Sequence, residues 1–310
     1  MPTERPAAGV LSACVEVTKP GITRLVTITA SVGLMLAGLH YGGLHLWDWV
    51  RLAAGVVIGT ALAAGGANAL NQWYESDRDA RMGRTRSRPI PSARLSSRAV
   101  FWLGLSLVVA GTAWLFALCG TMPAFIALVS AGSYIILYTP LKPITIWNTL
   151  VGAIPGALPV MIGTAAVAPG VGFEPLRDPI GLALFALMMV WQIPHFLAIA
   201  WMCRADYEQG GFRMLPAVDP TGRLTAGIIV GTSVLLIPVS AGVVFAAPDL
   251  LGWATIAACV LLGLMLVALG MRVVLQPTEK TARAVFIGSI IHLPVLLIVM
   301  VAEALLRSIF

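Results

Sequence analysis

The chain has 310 residues, 58% of them hydrophobic and 11% charged, with a net charge of +6 and a mean hydropathy of +0.90. Soluble domains carry about 25% charged residues, so a soluble globular protein is excluded and a polytopic membrane protein is expected. The basic residues are clustered along the chain, which speaks against a nucleic-acid partner and for a lipid bilayer.

The N-terminal stretch MPTERPAAGVLSACVEVTKPG carries acids and lacks the regions of a removable signal peptide. It reads as a cytoplasmic tail over 1–20. A span needs about 20 mostly apolar residues. Nine runs qualify, near 22–41, 49–73, 97–118, 122–138, 147–167, 179–202, 224–246, 250–271 and 283–306. They are too long for barrel strands, and no linker divides them. The expected fold class is therefore all-α: nine transmembrane helices in one bundle, a single membrane-embedded domain over 1–310. The four cysteines, Cys14, Cys119, Cys203 and Cys259, show neither disulfide nor zinc spacing.

Span 2 ends in NQWYESDRDARMGRTRSRP, residues 71–89, which holds five arginines and three carboxylates. Asn71, Glu75 and Asp79 follow one another at intervals of four, which on a helix places them on one face, each about 6 Å further along the axis. Asp77 lies about 200° from Glu75 and faces elsewhere. Two carboxylates on one face need a counter-charge. Mg²⁺ supplies one and typically takes one or two carboxylates plus substrate phosphates and water. Arg78, Arg81, Arg84, Arg86 and Arg88 complement it, since guanidinium forks match phosphate oxygens. Acids and arginines together point to a cation bridged to an anionic substrate. An arginine-rich loop is also what topology alone predicts, or what anionic lipid binding requires. Three aligned polar groups at a span end are costly without a partner, and that favours a site.

Between spans 4 and 5 runs LYTPLKPITIWNTLVGAIPG. Lys142 sits there between Pro140 and Pro143, Asn148 begins span 5 as a cap or a polar ligand, and Gly152 and Gly156 form a close-packing GxxxG. Span 6 and its exit read WQIPHFLAIAWMCRADYEQGGFRMLP. Gln192 and His195 lie inside the span, where a polar residue is a functional candidate by default. His195 also suits an interhelical hydrogen bond beside the Pro194 kink. Asp206, Tyr207, Glu208 and Arg213 follow the span end, and Gly210-Gly211 reads as a turn. Trp191, Phe196, Trp201, Tyr207 and Phe212 are suited to an apolar, cation-tolerant pocket, although Trp201 and Tyr207 equally suit an interfacial belt.

Seventeen of the twenty basic residues fall in the N-terminal tail and the loops after spans 2, 4, 6 and 8; only Arg51, Arg177 and Arg307 fall on the other face. The positive-inside rule then places the N-terminus and the charged loops in the cytoplasm and the C-terminus outside a bacterial inner membrane.

The pattern on NQWYESDRD followed by MGRTRSRP resembles the intramembrane UbiA-type prenyltransferases. With TKPGITRLVT, RMGRTRSRPIP, YTPLKPITIWNTLVGAIPGALP, WQIPHFLAIA and DYEQGGFRMLP it is most similar to the branch that farnesylates haem. That resemblance implies a bundle around a central cavity. It also implies Mg²⁺-dependent transfer of a farnesyl group from farnesyl diphosphate to a vinyl group of haem b, with water completing the side chain. The product, haem O, serves haem-copper terminal oxidases. By the same resemblance Asn71, Glu75 and Asp79 are the catalytic metal-diphosphate residues. Arg84 and Arg88, with Arg78 and Lys142, are diphosphate partners, and Lys142 and Asp206 lie on the facing side. His195, Gln192 and Tyr207 are candidates on the haem side, and His292 is a further one. The expected partners leave room for a homo-oligomer or another enzyme of haem metabolism. Two departures stand out: Glu75 occupies a position often held by Asp, and Gly210 stands where a second acid would follow Asp206. The rival readings are a related enzyme with a quinone-precursor or chlorophyll-like acceptor, a membrane transporter, and an assembly factor without chemistry. A transporter would carry its acids near mid-bilayer, whereas here they cluster at one face.

Overall fold

A computed structural model of the chain describes residues 9–309. Arg5, in the N-terminal tail, and Phe310 lie outside the described residues. A short helix α1 (Val10–Val17) precedes α2 (Pro20–Tyr41), α3 (Leu46–Asp79), α4 (Ser97–Cys119) and α5 (Thr121–Gly132). A π-helical segment (Ser133–Tyr138) and the short α6 (Thr139–Leu141) continue α5 without a break. Then come α7 (Asn148–Ala165), α8 (Pro179–Met202), the short α9 (Arg204–Gln209) and α10 (Leu215–Val218), and finally α11 (Arg223–Ala246), α12 (Trp253–Leu275) and α13 (Glu279–Ile309). Among the described residues nine helical stretches are long and apolar enough to cross a membrane, and they match the nine expected runs. The chain is an integral, multi-pass membrane protein.

Each long helix packs on the next in chain order, and α13 returns to α2, closing a ring. Small residues bring the helices together, as membrane helices without a hydrophobic driving force between them require. Gly66 and Gly104 put the backbones of α3 and α4 in contact; Gly33 and Gly163 do the same for α2 and α7. The cavity inside the ring is lined from α2, α3, α5, α7, α8 and α13. No lining residue comes from α4, α11 or α12, which form outer walls.

Prolines interrupt the inner helices, and at Pro159 a nearby side chain satisfies the carbonyl left free. Pro159 has no N–H for the carbonyl of Pro155, four residues earlier. The Ser130 hydroxyl donates to that oxygen at 2.9 Å. Pro140 likewise cannot donate to Ile136, and the amide of Thr139 reaches the carbonyl of Tyr134 instead, the five-residue step of a π-helix.

Two features differ from the sequence expectation. The tail over 1–20 contains α1, whose Val17 packs with Ala69 and Val100. Its other face leaves Val10, Leu11 and Val15 exposed, an apolar stripe suited to a membrane interface. Span 2 continues through its charged end: α3 stays helical to Asp79 rather than giving way to loop near residue 73.

Candidate active site

Because α3 does not stop at residue 73, Asn71, Glu75 and Asp79 share one face and are all buried, while Asp77 on the far side is exposed. The buried carboxylates do not stand alone. Lys142 Nζ lies 2.7 Å from Glu75 Oε1, and Arg88 Nη1 donates to Asp79 Oδ2 at 2.6 Å. Burial alone would lower the Lys142 ammonium value. The Glu75 carboxylate and the Tyr138 ring beside it outweigh that and hold it above the usual lysine range. Lys142 also sits 4.6 Å above the Tyr138 ring, which the π-helical segment turns toward it.

Asn71 is placed differently from a free ligand. Its Oδ1 accepts from Lys19 Nζ at 2.7 Å, and its Nδ2 donates to Thr139 Oγ1 at 3.1 Å. Its side chain ties α2, α3 and the start of α6 together. Lys19 reaches it because the backbone there is left-handed, with φ 48°. That conformation is uncommon outside glycine and turns the chain sharply between α1 and Pro20. Burial, helped by Arg88 and Lys142, pushes the Lys19 ammonium down to about 7.

The segment after α8 closes over this cluster. Gly83 donates its backbone N–H to Asp206 Oδ1 at 2.9 Å, and Arg78 Nη1 donates to the carbonyl of Gly210 at 3.2 Å. Gly211, at φ 69°, makes the turn beside that guanidinium. Arg213 donates its N–H to the carbonyl of Lys142 at 2.8 Å, and Asn148 Nδ2 donates to the carbonyl of Arg213 at 2.9 Å. Arg84 stacks over the Tyr207 ring at 4.7 Å.

The structure thus sorts the expected residues. Asn71, Glu75, Asp79, Arg84, Arg88, Lys142, Gln192, His195 and Tyr207 all line one cavity. Arg78 and Asp206 do not. Arg78 Nη1 and Asp206 Oδ1 instead fasten the two charged segments to each other. Asn148 donates to two carbonyls and does not cap α7. His292 is fully buried and off the cavity wall, and neither ring nitrogen has a partner among the described residues. Trp201 is buried away from the cavity, with Arg204 over its ring at 5.1 Å, whereas Tyr207 lines the cavity and is no belt residue. Lys19, Arg24, Tyr134 and Tyr138 also line it, and the reading of single motifs did not assign them to the site.

The cavity measures 740 Å³ and has two ends of opposite character. At the charged end two carboxylates meet five basic side chains, from Lys19, Arg24, Arg84, Arg88 and Lys142. That excess of positive charge suits a polyanion. Asp79 Oδ1 is buried without a hydrogen-bond donor. No third acid, histidine or cysteine joins the two carboxylates among the described residues. An all-oxygen pair of this kind fits Mg²⁺, which fills its remaining positions with substrate phosphate and water. The other end is walled by Met188, Trp191, Phe196, Phe286 and Ile290, and it suits an apolar occupant.

Fold and site together define a polytopic helical membrane protein with an intramembrane cavity, cationic at its mouth and aromatic in its depth. The chain belongs to the UbiA prenyltransferase family, whose model matches residues 26–291. It is 41% identical over 290 residues to the protoheme IX farnesyltransferase of Solibacter usitatus (strain Ellin6076), covering 91% of this chain and 95% of the relative. It resembles the solved structure of a digeranylgeranylglyceryl phosphate synthase with a TM-score of 0.73 at 13% identity, covering 95% of this chain and 98% of that one. A UbiA homologue from Archaeoglobus fulgidus, bound to GPP and Mg²⁺, superposes with a TM-score of 0.53 at 12% identity over 91% of this chain and 99% of that one. These two likenesses are of fold.

Proposed function

We propose that the chain transfers a farnesyl group from farnesyl diphosphate to a vinyl group of haem b, with addition of water, giving haem O. The observation that carries this reading is the continuity of one cavity from the Glu75–Lys142 and Asp79–Arg88 pairs to the aromatic chamber at Trp191. The family and the name carried by the relative from Solibacter usitatus support it.

In this reading the diphosphate rests among Lys19, Arg24, Arg84, Arg88 and Lys142. Glu75 and Asp79 would hold Mg²⁺ beside it, in keeping with the Mg²⁺ bound by the homologue of the same fold. The ion, when bound, neutralises charge on the leaving diphosphate. The allylic C–O bond breaks and its electron pair leaves with the diphosphate, whose growing charge the fixed cations stabilise. The apolar walls keep water from the farnesyl cation until the acceptor arrives. The π electrons of the vinyl group form the new C–C bond. The cation left beside the porphyrin takes up water and loses a proton, which completes a hydroxyethylfarnesyl side chain. The charged end faces the cytoplasm of a bacterial inner membrane, in keeping with the basic asymmetry.

The test supplies purified protein with haem b, farnesyl diphosphate and Mg²⁺ and weighs the extracted haem. A gain of one farnesyl group plus water is expected. Consumption of the diphosphate only with an aromatic acid such as 4-hydroxybenzoate would overturn the haem assignment. In the same assay Glu75→Gln and Asp79→Asn each lose on the order of 10²-fold in rate, and Asp77→Asn loses little. Equal losses in all three would reduce the cluster to a diffuse charge effect.

A further inference from the structure

His195 lies on α8 at the edge of the aromatic chamber. Its ring stacks on Trp191 with centroids 5.0 Å apart and planes 19° apart, and Phe286 of α13 faces it at 5.2 Å and 30°. Its Nδ1 is 2.8 Å from the hydroxyl of Ser289. That hydroxyl has a single hydrogen, and it is donated to the carbonyl of Phe286 at 2.7 Å. The Ser289 oxygen must therefore accept from the imidazole. The proton is placed on Nδ1, and Nε2 carries an unprotonated lone pair. Trp191 Nε1 donates to the backbone carbonyl of the same Ser289 at 3.0 Å, which locks the ring on which His195 stacks.

Among the described residues no protein group partners Nε2, although His195 lines the cavity. Its polar neighbour Gln192 has its amide committed to the carbonyls of Met188 and Ala153, at 2.9 and 3.3 Å. A polar atom at an apolar wall normally has a partner, so the cavity's occupant must supply one. A farnesyl chain offers neither a hydrogen-bond donor nor a metal. A haem offers iron with open axial positions. A neutral imidazole whose second nitrogen donates a hydrogen bond is the usual form of histidine that ligates a metal.

We propose that His195 holds the haem substrate by ligating its iron through Nε2, with Ser289 and Trp191 as positioning residues. This rests on haem being the acceptor. The geometry suits the reaction. His195 stands seven residues before Met202, where α8 ends, or about 10 Å into the bundle. Iron pinned there leaves the macrocycle rim, which carries the vinyl groups, to extend toward the charged mouth where the diphosphate leaves. Apolar stacking alone would leave a flat molecule free to slide; a ligand at its centre fixes its depth.

The experiment titrates the purified full-length chain with ferric haem b, and in parallel with iron-free protoporphyrin IX, while recording absorbance. Wild type is expected to shift the Soret band as imidazole ligation does. It should also bind haem at least tenfold more tightly than the iron-free ring. His195→Ala, and the closer-sized His195→Gln, lose the shift and that preference and raise the KM for haem tenfold or more. The KM for farnesyl diphosphate stays unchanged, which shows that each variant is folded. Added imidazole restores the shift in His195→Ala. Ser289→Ala keeps the ligand but weakens haem binding several-fold. A folded His195 variant with the wild-type spectrum and haem KM overturns the proposal while leaving haem as the acceptor. A wild type that neither perturbs nor consumes haem overturns the functional reading itself.

Discussion

Lys19 shows how one residue joins backbone conformation to charge. It adopts a left-handed conformation between α1 and α2, its ammonium is buried, and its nitrogen meets Asn71 Oδ1 at 2.7 Å. Burial and two neighbouring cations hold its value near 7, so a polyanion entering the site is the group that favours its charged form. Lys19→Met should raise the KM for farnesyl diphosphate about tenfold, the effect of losing roughly 1.4 kcal/mol of binding, with a smaller change in kcat. The same substitution leaves the buried Asn71 Oδ1 without its donor, so the unliganded protein should melt lower than wild type. Steady-state kinetics and a thermal melt check both; an unchanged KM would remove Lys19 from the diphosphate site. Residues of this kind were poorly legible in the sequence. The Asn71, Glu75 and Asp79 face could be read because it obeys a helical interval. Lys19 and Asn71 are 52 positions apart and meet through a turn that no periodicity signals. Arg78 and Asp206 have the residue types of a ligand site, and only the structure shows that they also meet the Gly210 carbonyl and the Gly83 amide.

Elements were legible where composition alone decides them and less so where one residue changes the hydrogen-bond step. All nine spans follow from runs of apolar residues. The π-helical turn at Ser133–Tyr138 does not, because its cause is the missing N–H of Pro140, and a proline at that position equally permits a kink or an end. The start of α11 shows a loop residue setting an element's stability. Asp219 Oδ2 accepts from the backbone N–H of Thr225 at 2.8 Å and from its hydroxyl at 2.9 Å. Burial works against the charge, but these bonds, with the Thr221 hydroxyl, outweigh it and hold the carboxyl below the usual range. A carboxyl lowered in the folded state binds fewer protons there than when unfolded. Its stabilisation is complete above the unfolded value of about 4 and is lost as the pH falls through the lower folded value. Asp219→Asn should cost about 1 kcal/mol at pH 7, because hydrogen bonds to a charged acceptor contribute more than those to a neutral amide oxygen. The two proteins should converge in melting temperature as the pH falls from the unfolded value through the lower folded one. A gap that stays constant across that range would mean that the carboxylate charge plays no part.

At the scale of the whole molecule, the two ends of the bundle treat charge in opposite ways. At the end away from the site, charges are few and are paired locally. His40 meets Asp249 at 2.8 Å, the Tyr41 hydroxyl donates to Asp178 at 2.6 Å, and Arg307 lies 3.5 Å from Glu303. At the site end basic side chains outnumber acids around the cavity mouth, and most basic residues of the chain lie on that side. An end with surplus positive charge is the one retained in the cytoplasm during insertion. The same surplus suits a diphosphate, so in the proposed reaction topology and catalysis would call for the same residues at the same membrane face. If all nine stretches cross, the termini lie on opposite sides. A reporter enzyme fused after Phe310 in a bacterial host should therefore be active only as a periplasmic protein. A reporter inserted in the exposed stretch near Ser92 should read as cytoplasmic. Both readings must hold together. If the C-terminal fusion were cytoplasmic while the Ser92 fusion stayed inside, one of the nine stretches, with α7 the shortest and least apolar, would not cross. If both readings reversed, the cavity mouth would face away from the compartment that the basic residues select, and the arginine-rich loop would owe its composition to the substrate alone.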